Sequence, residues 1–145
     1  MLNPFRLYYI PEFFFENGRS KSKFCIPVAV DSDNVMLFYL PSSQVYVPDY
    51  LIKDGCMKYN DRNIHCFSFK EGVRVTKDAY SFSKRTFIYF ERRVQEVSVQ
   101  RFMRLYGNSV VVHGALLENL RKELIRCIVN CPVIARKVKR RVEGL

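Results

Sequence analysis

No apolar run in this chain approaches the roughly 18 residues that a membrane-spanning helix requires. The first fifteen residues, MLNPFRLYYIPEFFF, carry Pro4, Arg6, Pro11 and Glu12. They lack the basic start, clean apolar stretch and small-residue cleavage site of a secretory signal, so none is expected. Histidine is scarce, with only His65 and His113, and the five cysteines form no CxxC pair. Zinc-finger spacing is therefore missing, and neither a metal nor a cofactor is expected. There is no Walker loop, GxGxxG, GxSxG, HExxH or EF-hand loop, which leaves the common motif-bearing enzyme classes without support. Internal repeats and low-complexity segments are missing too.

Acids are also in short supply. Asp and Glu total 14 against 24 Lys and Arg, giving a net charge of +10 and a pI near 9.6. Such a domain meets polyanions readily, because each neutralised phosphate releases counterions. Hydrophobic residues make up 48% and charged residues 26% of the 145 positions, which is globular rather than disordered composition. That length predicts one domain able to bury a core without staples. Cys25, Cys56, Cys66, Cys127 and Cys131 make an odd count without a secretory signal. This fits a reducing cytoplasm, with the thiols as small buried hydrophobes.

The first 97 residues read as β-rich and the last 48 as helical. Strands are expected at 5–10, stopped by Pro11 and extended at most over 12–15, then at 24–30, 35–40, 64–69, 86–90 and 94–97. Residues 73–75 are expected to pair with 64–69 across Glu71 and Gly72. Asn17-Gly18 and the run Asp31-Ser32-Asp33-Asn34 are turn signals. The nearly all-apolar VMLFYL at 35–40 implies burial on both faces or curvature in a closed sheet. The stretch 41–63 reads as a long loop. Ser98 is expected to cap a short helix that ends at Gly107. Residues 113–130 place Leu116, Leu117, Leu120, Leu124, Cys127 and Ile128 on one helical face, with His113 at the helix entrance. The expected class is mainly β with C-terminal helices (α+β), a small antiparallel barrel. Residues 1–131 form the barrel-plus-helix domain and 132–145 a basic helical tail. The tail's Arg136, Lys137, Lys139, Arg140 and Arg141 read as an exposed helix face, with phosphate contact as the alternative.

Chemistry is best placed in residues 19–47. A basic loop with Arg19, Lys21 and Lys23 feeds one strand, and the returning strand ends in Pro41-Ser42-Ser43-Gln44. Clustered cations and hydroxyls without a metal ligand suit a phosphodiester. A shared His65–His113 acid–base pair is a weaker option.

The order of these pieces resembles the MazF/PemK/Kid toxins, whose RPVVV-type strand is followed by a strand ending in PITS. This chain has IPVAV at 26–30 and LPSS at 40–43. It then has YSFSKRTFIYF at 80–90, VQEV at 94–97, Arg101-Phe102, Gly107 and a leucine-rich helix from Leu116. The resemblance covers about residues 5–130. Ile26 stands where the family has its arginine, and Ser43 matches the family threonine. The resemblance implies an SH3-like barrel and metal-independent cleavage of single-stranded RNA by the neighbouring 2′-hydroxyl. Ser43 and Lys23 would hold the scissile phosphate. Arg19, Lys21, Ser42, Gln44, Tyr46, Lys84 and Arg85 would line the RNA groove. An acidic antitoxin, a homodimer and a cytoplasmic location away from membranes are implied with it. The missing arginine keeps an alternative open, a non-enzymatic module on the same scaffold that binds nucleic acid or poisons a protein target. A third reading is an interaction or structural protein that shares the barrel alone.

Overall fold

The computed structural model describes residues 2–41, 45–92 and 94–144. Within them, strands β1 (Arg6–Phe14), β2 (Ser20–Val30), β3 (Asn34–Leu40), β7 (Gln95–Ser98) and β8 (Val111–Ala115) make one sheet. Its order is β7-β3-β2-β1-β8, and every neighbouring pair is antiparallel. A second antiparallel sheet holds β4 (Gly55–Tyr59), β5 (Ile64–Phe69) and β6 (Thr86–Tyr89), in that order. The two sheets do not join into one closed hydrogen-bonded cylinder among the described residues. The class is α+β, mainly β, with helices α1 (Val99–Tyr106), α2 (Glu118–Val129) and α3 (Arg136–Glu143).

Local chemistry explains most boundaries. Asp31 Oδ1 accepts the amides of Asp33 and Asn34 at 2.8 and 2.7 Å, an Asx turn that returns β2 into β3. The Ser98 hydroxyl accepts the Arg101 amide, capping α1 as its position suggests. β3 is buried on both faces. Met36, Phe38 and Leu40 enter the main core, while Val35 and Leu37 face Phe102 and Tyr106 of α1. The main core lies between the sheets and is closed by Leu124, Ile128, Ile134, Val138 and Val142. The apolar stripe of the basic tail is thus part of the same core, and Arg136, Lys137 and Arg140 remain exposed.

Several expectations are corrected. β1 does not stop at Pro11 but runs to Phe14, with a register shift between Ile10 and Phe13. Proline has no amide to donate, and the bulge removes the need for one. The loop expected over 41–63 contains β4, whose Gly55, Cys56, Met57 and Lys58 alternate buried and exposed. Residues 73–75 make no strand with β5; that segment is held by isolated bridges, Arg74 to Ser81 and Thr76 to Leu116. His113 lies in β8, not at a helix entrance, and α2 begins at Glu118. Gly114 explains this: its φ is +105°, and a Cβ there would stand 2.5 Å from Asp78 Oδ2. Leu124 is buried as expected, whereas Leu117 and Leu120 are only half-buried. Three cysteines, Cys25, Cys66 and Cys131, are free and buried, but Cys56 is exposed and disulfide-bonded to Cys127. The pairing was not legible because its partners lie on elements distant in sequence.

Candidate functional site

The bulge between β1 and β8 falls at His113. Leu7 pairs with Gly114 and Tyr8 with Val112, so His113 is the extra residue. Bulges re-aim side chains, and this one sends the imidazole onto the ring of Tyr80. The centroids are 3.9 Å apart and the planes 22° from parallel. Phe24 of β2 lies 6.0 Å from the same imidazole and Tyr9 of β1 6.1 Å. Phe82 meets Phe24 edge-on at 5.0 Å. These rings, with Ser22, Ser83 and the exposed Lys84, line an open groove of about 520 Å3.

Tyr80 is held from its own loop. Its amide donates to Thr76 Oγ1 at 3.0 Å and its carbonyl accepts the Val75 amide at 2.8 Å. The loop is fixed in turn by the Arg74 guanidinium, which donates to the carbonyls of Thr76 and Lys77. Burial pushes the His113 imidazole below its usual range, because the charged ring loses water. Burial also raises the Tyr80 phenol, with Tyr9 adding to it. At neutral pH both rings are uncharged, so the groove offers flat neutral faces with one cation at its rim. That arrangement suits a planar base joined to an anion.

The expected site residues are not gathered in one place. Lys84 is at this groove. Lys23 lies over Phe13 and Phe15, 5.6 and 5.4 Å from their centroids, on the α1 side of the first sheet. Strand alternation puts Lys21 on the same side and Ser22 and Phe24 on the groove side. Arg19 is exposed in the turn, where its amide donates to Asn17 Oδ1. Arg85 donates to Asp54 at 2.8 Å and to Ser68 Oγ at 2.6 Å, tying the residue before β4 to β5. Tyr46 packs edge-on against Tyr89 at 5.1 Å and lines a separate groove with Arg62. Ser42, Ser43 and Gln44 lie outside the described residues, and so does the expected meeting of Ser43 with Lys21 or Lys23.

His65 and His113 are not brought together. His65 is buried, with Nε2 3.0 Å from Asn60 Oδ1, and it lines a groove beside Cys56 and Cys127. Sequence reasoning missed Tyr9, Phe24, Tyr80 and His113 as a group. The signal that pointed nearest was YSFSKR at 80–85, where aromatics and hydroxyls precede cations. No group of three or more His, Cys, Asp or Glu is placed to hold a metal ion among the described residues. No described helix is long and apolar enough to cross a membrane. Comparison with protein-family models, curated proteins and solved structures found no match.

Proposed function

We propose that this chain binds single-stranded RNA, seating a base against Tyr80 and His113 while Lys84 meets the adjoining phosphate. The observation that carries the reading is the ring cluster around His113, open to solvent and rimmed by a cation on a protein of net charge +10. Stacking on aromatic faces contributes about 1–3 kcal/mol per base and tolerates any base. The order of the IPVAV and LPSS segments in the sequence supports the finer reading, a PemK/MazF-like SH3-type barrel acting as a toxin-like, metal-independent endoribonuclease in the cytoplasm. A homodimer and an acidic antitoxin belong to that proposal. In it the RNA 2′-oxygen attacks phosphorus and the bond to the 5′-oxygen breaks, leaving a cyclic phosphate. The neutral imidazole of His113 takes the 2′-hydroxyl proton and returns it to the leaving oxygen. Ser43 and Lys23 are the alternative site that the resemblance supplies.

A second reading, RNA binding without cleavage, is favoured by one observation. Ile26, where the family has arginine, is 0% exposed in the main core. A guanidinium at this position would have no route to a phosphate. Incubating the protein with single-stranded RNA in chelator separates the readings. Fragments ending in cyclic phosphate support the enzyme, and retention without fragments supports the binding module. Failure to retain RNA at low salt overturns both.

A further inference from the structure

The bond between Cys56 and Cys127 has no part in the RNA reading. Its two halves differ in access. Cys56 is exposed on β4, whereas Cys127 is only 5% exposed on α2. Both line an open groove of about 400 Å3 that also holds Lys58, Glu123 and Arg126. Among the described residues β4 is the edge of its sheet, hydrogen-bonded in the ladder to β5 alone. The disulfide therefore fastens an edge strand to a helix. The two elements approach closely, since a Cβ on Gly55 would stand 3.5 Å from Glu123 Oε2.

The remaining thiols do not compete for this bond. Cys25, Cys66 and Cys131 are buried. Burial pushes Cys25 and Cys66 up to about 12 and raises Cys131 as well, so each stays a protonated thiol at neutral pH. Thiolates, not thiols, attack disulfides. Attack comes from the groove, at Cys56, the more exposed of the two bonded residues.

We propose that Cys56 is a thiol-exchange site, at which a small thiol of the glutathione class opens the disulfide and releases β4 from α2. The thiolate attacks Cys56 Sγ, the protein S–S bond breaks, and Cys127 Sγ leaves with the electron pair and takes up a proton. A second small thiol then attacks the mixed disulfide at the small molecule's sulfur. Cys56 is freed as a thiol and the two small thiols leave as their disulfide, so two thiols are oxidised while one protein disulfide is reduced. In a thiol-buffered compartment this makes the bond a transient state, not a permanent staple. The fold survives opening because Leu124 and Ile128 of α2 are wholly buried in the core. The proposal does not depend on RNA binding.

The test uses the purified, air-oxidised full chain. Samples are incubated with glutathione, quenched with acid, alkylated and mapped by mass spectrometry, and melting is followed in parallel with and without dithiothreitol. The expected adduct is on Cys56, with Cys25, Cys66, Cys127 and Cys131 free of it. Dithiothreitol should lower the wild-type Tm by roughly 5–15 °C, the size expected for losing a long-loop disulfide. Cys56→Ala and Cys56→Ser, both at an exposed position, should start at the lower Tm and ignore dithiothreitol. An adduct mainly on Cys127 would overturn the proposal. So would Cys56 and Cys127 alkylating fully before any reductant, or a wild-type Tm unmoved once both are shown to be thiols.

Discussion

The imidazole of His113 lies against the phenol of Tyr80 with centroids 3.9 Å apart, and burial holds it below its usual pKa. The unfolded chain then binds a proton near pH 6.5 that the folded chain resists. Stability is fully present above that pH and is lost as pH falls through the depressed folded value. Wild-type Tm should drop as pH is lowered below about 6.5, and the drop should shrink in His113→Phe. Equal pH profiles for the two proteins would show that His113 does not carry the effect.

Tyr80→Ala removes one stacking face and should weaken single-stranded RNA binding about 5- to 150-fold, the equivalent of about 1–3 kcal/mol. Tyr80→Phe keeps the face and should bind like wild type. Fluorescence anisotropy with a short labelled RNA reads both, and an undiminished affinity for Tyr80→Ala would place the base elsewhere.

Lys84 and its neighbour Arg85 should separate cleanly. Lys84→Ala is expected to lower affinity across sequences and reduce the salt slope by about 1, as for one lost phosphate contact. Arg85→Ala strips partners from Asp54 and Ser68 and should instead cost about 1–3 kcal/mol of stability. The comparison needs salt titrations and urea melts on both variants. A flattened salt slope for Arg85→Ala alone would reverse the assignment.

The basic tail gives a similar contrast. Val142→Ala should destabilise by about 1.5–3 kcal/mol, because Val142 is buried in the main core. Replacing the exposed Arg136 and Arg140 by Gln should leave the melt within about 0.5 kcal/mol, as for surface changes generally. If those cations meet RNA, the same double variant reports it through salt dependence without disturbing the fold. A large stability loss in the double variant would contradict the exposed placement.

Ile26→Arg supplies the arginine that the toxin family carries at that place. Here it would bury an unpaired charge, costing several kcal/mol, roughly 3–5. The variant is expected to be largely unfolded by circular dichroism rather than more active. A folded Ile26→Arg protein with new ribonuclease activity would show that β2 can turn that position outward.

Much of the fold was legible because its signals are local. A short run rich in apolar and aromatic residues set β5 at Ile64–Phe69, an Asx turn at Asp31 set the β2–β3 hairpin, and Ser98 set the start of α1. The apolar run of β3 disclosed its burial on both faces. Errors came where a local signal served two structures. His113, Gly114 and Ala115 read as the start of the helical stretch, although Gly114 at positive φ belongs to a bulged strand that begins at Val111. Pro11 looked like a stop, but a bulge carried β1 past it.

The site belongs to the other category. Periodicity determined that Phe24 points to one side of β2 and Lys23 to the other, since neighbours on a strand alternate. It held no information on which side would face Tyr80 or His113. Tyr9, Phe24, Tyr80 and His113 come from three strands and a loop, and only the packing of β1 between β2 and β8 under that loop brings their rings together. The Cys56–Cys127 pair has the same origin. A chain records which face of each element is apolar, because burial is read residue by residue. Which buried faces meet is decided by the shape complementarity of the whole core, and both grooves were made at that level.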